Sequence, residues 1–242
     1  MGGVTGTVLN AAAILLGATA GLTLSREISA VNQGRLKTGM AVFVVYAGLS
    51  AAWSGFNGTF GQVLGQMGVV AVALIFGNMV GKLLRLQKAA NHLGRHARDQ
   101  FARVSQAGVT SFGGGFVTCA IVFCVGPISL LGALLDGFAG DFKLLAVKSL
   151  MDGLAAMAFA RVFGWGVLVS AVPVLAWQGS VSLAARALQP VLLDHALLDS
   201  VFATSGLLVC CLSLIILEVK KVRLADYVPS LAVAPLLTWW LH

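Results

Sequence analysis

Two short segments hold most of the residue types that could do chemistry: GPISLLGALLDG, from Gly126 to Gly137, and KSLMDG, from Lys148 to Gly153. Lys148 and Asp152 are four residues apart and so share one face of a helix. An ionised aspartate inside a membrane span costs at least ~2.5 kcal/mol on insertion scales, which turns such a pair toward the bundle interior. Pro127 removes a backbone donor, and Gly126 and Gly132 loosen the helix around it. A broken or re-entrant segment is predicted around Gly126 to Gly137, with carbonyls freed near the outer leaflet. Together with Asn10, Ser149 and Gln178, Asp152 offers carboxylate, amide and hydroxyl oxygens, the ligands a hard cation takes. A monovalent cation at Asp152 is the metal reading that follows. The plainer reading is that Lys148 reaches toward the outer interface and only neutralises Asp152, joining two helices.

Other constellations carry less. His92 and His96 in HLGRH share a helix face, but the glutamate of the zinc-hydrolase signature and a third ligand are missing. Cys119, Cys124, Cys210 and Cys211 all fall in apolar stretches and read as small packing residues. No HExxH, GxSxG or phosphate-cradling loop occurs, and no histidine falls in an expected span. An enzyme, a cofactor and a nucleotide-driven pump are therefore not expected.

The elements that must position these groups follow from composition. Hydrophobic residues make up 58% of the chain, charged residues 10%, and mean hydropathy is +0.92, a balance that no water-soluble domain could bury. The fold class expected is an all-α, polytopic transmembrane helix bundle in one domain, 1–242. About eight spans are predicted, near 4–24, 38–56, 62–81, 109–128, 144–163, 164–185, 200–217 and 225–241. Glycines four apart, Gly17 and Gly21, Gly61 and Gly65, Gly77 and Gly81, predict close helix approach.

Orientation follows from the basic residues. With the N-terminus outside, the inner segments hold Arg26, Arg35, Lys37, Lys82, Arg85, Lys88, Arg95, Arg98, Arg103, Arg161, Lys220, Lys221 and Arg223, which is 13 of 16. Asp136, Asp141, Asp194 and Asp199 fall in outer loops. Both termini are expected outside, in a bacterial inner membrane, with no cleaved signal peptide because the first basic residue is Arg26. The net charge of +7 is then a topology signal suited to anionic lipid, not to nucleic acid. The loop Lys82 to Gln106 predicts a basic interfacial helix, with Arg95, Arg98 and Arg103 toward lipid. A homo-oligomer remains open.

Four motifs in order, GTVLN from Gly6 to Asn10, GPISLLGALLDG, KSLMDG and PVLAWQG from Pro173 to Gly179, resemble the YqgA-like family of bacterial inner-membrane proteins. The resemblance runs over nearly the whole chain. It implies membrane location and a transport role, with a sodium channel or pump suggested for a family whose function is unassigned. It marks Thr7, Asn10, Gly126, Pro127, Gly132, Asp136, Lys148, Ser149, Asp152, Pro173 and Gln178 as motif positions. The function expected is a channel or transporter for a small cation or polar solute. The alternative is a non-transporting scaffold or sensor that binds lipid or a partner protein.

Overall fold

The computed structural model describes residues 3–24, 29–107, 112–193 and 197–241, and the regular structure among them is helical. In chain order the helices are α1 (Thr5–Thr23), α2 (Ala30–Ser54), α3 (Phe60–Leu83), α4 (Leu86–Ala107), α5 (Phe112–Cys124), α6 (Pro127–Ala139), α7 (Lys143–Phe163), the single turn α8 (Gly166–Val169), α9 (Ala171–Leu193), α10 (Leu197–Ile216) and α11 (Ser230–Leu241). A 3-10 turn, Leu224–Tyr227, precedes α11. Residues 109–111 of the fourth expected span, and Arg26 and Asp194, lie outside the described residues.

Five helical stretches among the described residues are long and apolar enough to cross a membrane, and α5 with α6, bent by 60°, makes a sixth if the pair is one span. The count is lower than the eight expected for two physical reasons. The 21 residues of α7 reach ~31 Å at ~1.5 Å each, enough to cross, but the helix carries Lys148, Asp152 and Arg161. The last stretch is split, and the 12 residues of α11 reach only ~18 Å against a hydrocarbon core of ~30 Å.

The chain forms two compact units, Met1–Ile28 with Ala89–Ala185, and Ser29–Lys88 with Arg186–His242. In the first, α1 and α7 run parallel in close contact. A Cβ added to Gly17 would lie 2.0 Å from the Gly153 carbonyl oxygen, and one added to Gly21 would lie 2.2 Å from that of Met157. The glycine pair thus brings two backbones together, as small residues do where lipid removes the hydrophobic drive to associate. Ile14, Ala18, Phe123, Phe163 and Val174 fill the core beneath them. Phe101 of α4 packs on Phe159 and Phe163, ring centroids 5.4 and 5.5 Å away, and Ala97 is buried. Phe101 and Ala97 of α4 are thus covered by protein, while Leu93, Arg95, Arg98 and Arg103 are exposed.

In the second unit α2 packs antiparallel on α10. A Cβ on Gly48 would meet Gly206 and Cys210, and one on Gly55 would meet Asp199 and Ala203. At the far end Lys37 pairs with Glu218 at 2.6 Å. Gly77 and Gly81 bring α3 onto Ser230 and Asp226, whereas Gly61 and Gly65 meet nothing within 4 Å. The packing expected of that third pair is absent.

Candidate functional site

The polar residues of the first unit converge because α1 begins without a local cap. The first N–H groups of a helix have no partner within it, and Val4 offers no side-chain acceptor. The acceptor comes from α6: Asp136 Oδ2 takes the Gly6 N–H at 2.9 Å, placing a carboxylate where the helix dipole favours negative charge. Only glycine permits this approach, since a Cβ on Gly6 would lie 2.6 Å from the Leu145 side chain. Asp136, expected in an outer loop, is instead fully buried within α6.

One turn further along α1, Asn10 Nδ2 donates to Asp152 Oδ2 at 3.0 Å and to Gln178 Oε1 at 3.2 Å. Gln178 Nε2 in turn donates to Ser129 Oγ at 2.9 Å. Lys148 Nζ donates to the same Asp152 oxygen as Asn10, Oδ2. Four helices, α1, α6, α7 and α9, therefore meet in one connected polar cluster inside an apolar unit. Asn10, Ser129 and Gln178 are 0% exposed, Lys148 4% and Asp152 7%. Such burial is tolerable only for groups that find partners.

Three oxygens in or beside this cluster do not: Thr7 Oγ1, Asn10 Oδ1 and Asp136 Oδ1 are buried without a hydrogen bond. These unpaired acceptors on α1 and α6 are polar capacity that the fold itself leaves unused.

The helix break falls where the sequence predicts it, with Gly126 as the cap and Pro127 as the first residue of α6. Pro127 has no N–H for the Phe123 carbonyl one turn earlier. The Gly126 carbonyl accepts the Ser129 N–H at 2.9 Å. Ser129, two residues beyond the break, bonds Gln178 and through it joins Asn10 and Asp152, the tenth of the 21 residues of α7. Gly132 packs against Leu145. Ser149 is buried, but its hydroxyl donates to the Leu145 carbonyl of its own helix at 2.7 Å and stays out of the network. Ser129 was not singled out in the sequence, although it stands two residues after Pro127 in the quoted motif. Ser182, which bonds the Ala133 carbonyl at 2.9 Å, carries no motif signal at all.

His92 and His96 are both exposed, and among the described residues no three His, Cys, Asp or Glu side chains converge as a metal site. The four cysteines are free thiols.

Several apolar helices around a buried polar cluster define the class: a multi-pass helical membrane protein. The chain belongs to the protein family of unknown function DUF554, which it matches over residues 5–239. It is 25% identical over 237 residues to the "Uncharacterized membrane protein YdfK" of Bacillus subtilis (strain 168), covering 98% of this chain and 96% of that one. It is 28% identical over 245 residues to the "Uncharacterized protein YqgA" of Escherichia coli (strain K12), covering 98% and 97%. No solved structure matches the chain.

Proposed function

We propose that the chain is a channel or carrier that moves a small cation or polar solute across a bacterial inner membrane, with the cluster around Asn10 and Asp152 as its intramembrane station. The observation that carries this reading is the trio of buried oxygens without partners, Thr7 Oγ1, Asn10 Oδ1 and Asp136 Oδ1, on α1 and α6, which pack against the helix that carries the Lys148–Asp152 pair. A cluster that served only as helix glue would satisfy its own acceptors, since each one left unpaired costs about 1–3 kcal/mol. A dehydrated monovalent cation would meet hydroxyl, amide and carboxylate oxygens here, with Asp152 Oδ1 as the first candidate ligand. Both termini lie outside in this reading. No chemical step is assigned to the protein, and no cofactor.

The exposed arginines of α4 favour the second reading, a scaffold or sensor on anionic lipid, because with Leu93 they are what α4 leaves uncovered for lipid headgroups to meet. Sodium flux into vesicles reconstituted with the purified chain separates the two. Flux above protein-free vesicles that falls at least tenfold with Asp152→Asn supports transport. Absence of flux for sodium, potassium and protons alike leaves the scaffold reading.

A further inference from the structure

The second unit contains a cavity of about 470 Å³ where the α2–α3 turn meets the start of α10. Its volume falls in the range of small-molecule sites. It lies at the opposite end of α2 and α10 from the Lys37–Glu218 pair. Among the described residues its sole ionisable lining group is Asp199, and no described lysine, arginine or histidine lines it.

The polar rim is held in place by its own hydrogen bonds. Gln66 Oε1 accepts the Asn57 N–H at 3.0 Å while Gln66 Nε2 donates to the Asn57 carbonyl at 3.0 Å, clamping the turn from both sides. Gln62 Oε1 accepts from the Thr59 N–H at 2.8 Å. Asn57 Nδ2 donates to Asp199 Oδ2 at 3.3 Å and to the Ser54 carbonyl, so Asn57 Oδ1 and Asp199 Oδ1 both remain as acceptors. Val69, Val70 and Leu241 supply apolar wall. Gly65 lines the cavity and meets nothing within 4 Å, so the small side chain that packs helices elsewhere here leaves room instead.

We infer that this cavity binds a primary ammonium carrying a short apolar group, with the ammonium on Asp199 Oδ1 and Asn57 Oδ1. A carboxylate and an amide oxygen suit an N–H donor cation, and the valine wall suits its hydrocarbon part. The ammonium could come from a free amine or from a phosphatidylethanolamine headgroup. The site shares no residue with the Asp152 cluster, and neither reading depends on the other.

The test is calorimetric titration of the full chain in phosphatidylcholine nanodiscs with n-butylammonium. One saturable site is expected, absent for n-butanol, and at least tenfold weaker in Asp199→Asn and in Gly65→Leu. The leucine fills open space without touching a charge, so it separates loss of the site from loss of the fold. Replacing half of the lipid by phosphatidylethanolamine identifies the source: competition points to the headgroup, unchanged binding to a free amine. No saturable binding in phosphatidylcholine, or binding unaffected by Asp199→Asn or Gly65→Leu, overturns the inference.

Discussion

Replacing Asp152 by Asn removes a charge from a buried pair while keeping shape and one acceptor. The Lys148 ammonium, 4% exposed, is then left without a counter-ion. Breaking a buried pair from one side typically costs 3–5 kcal/mol. Lys148 stands five residues into α7, about 7.5 Å from its start, so its side chain can extend toward that end and recover part of the loss. A destabilisation of about 3 kcal/mol is expected, a large share of a total of roughly 5–15 kcal/mol. The double change Lys148→Met with Asp152→Leu removes both charges from the middle of α7, and Asn10 Nδ2 keeps its bond to Gln178. Its stability should fall within about 1 kcal/mol of the parent, because replacing a whole buried pair by apolar residues is often neutral. Thermal unfolding in detergent reads the stability, and vesicle flux reads the function. The transport assignment requires both variants to lose flux, although only the single variant loses stability. Lys148→Met alone adds a third readout: a cation that takes the ammonium's place should raise its Tm in sodium chloride relative to choline chloride, by mass action. A double variant that is stable and fully active would refute the reasoning and reduce the pair to a structural contact.

Gly17→Leu should abolish folded protein on a sizing column, because its Cβ alone would overlap the Gly153 carbonyl, while Gly61→Leu, facing open space, should leave yield and Tm unchanged. A reporter fused after Lys37 or within the α4 segment should read cytoplasm, as the basic residues there require, and a periplasmic signal at either place would reverse the orientation. Changing Arg95, Arg98 and Arg103 together to Gln should weaken co-sedimentation with anionic vesicles severalfold in a 100 mM salt buffer and leave Tm unchanged, since all three are exposed.

Membrane class, helical content and the position of the broken helix were legible because they rest on local rules: runs of apolar residues, and a proline that cannot donate. The span count was less legible. An apolar stretch such as Tyr227 to Leu241 reads as one element by composition, yet the chain breaks around Pro229 after a 3-10 turn, and the helix that forms, with Pro235 inside it, is only 12 residues long. The glycine pairs show the same limit. Gly17 with Gly21 and Gly61 with Gly65 have identical spacing, but one pair seats a neighbouring backbone and the other meets nothing within 4 Å. Spacing fixes which helix face is small, and only the fold decides what meets that face.

The candidate site was legible residue by residue but not as a network. Lys148 with Asp152 is a contact within one helix, so sequence periodicity reveals it directly. The bonds from Asn10 to Asp152 and to Gln178 join positions 142 and 168 residues apart, and no local rule relates them. Asp136 is the sharpest case. By composition it belongs with the acidic residues of an outer loop, yet it is buried because the start of α1 presents N–H groups that Val4 leaves uncapped. Once Asp136 is spent on that cap through Oδ2, its other oxygen joins Thr7 Oγ1 and Asn10 Oδ1 in lacking a donor. A requirement of helix termination thus carries a carboxylate into the interior of the unit, where one of its two oxygens meets no donor among the described residues.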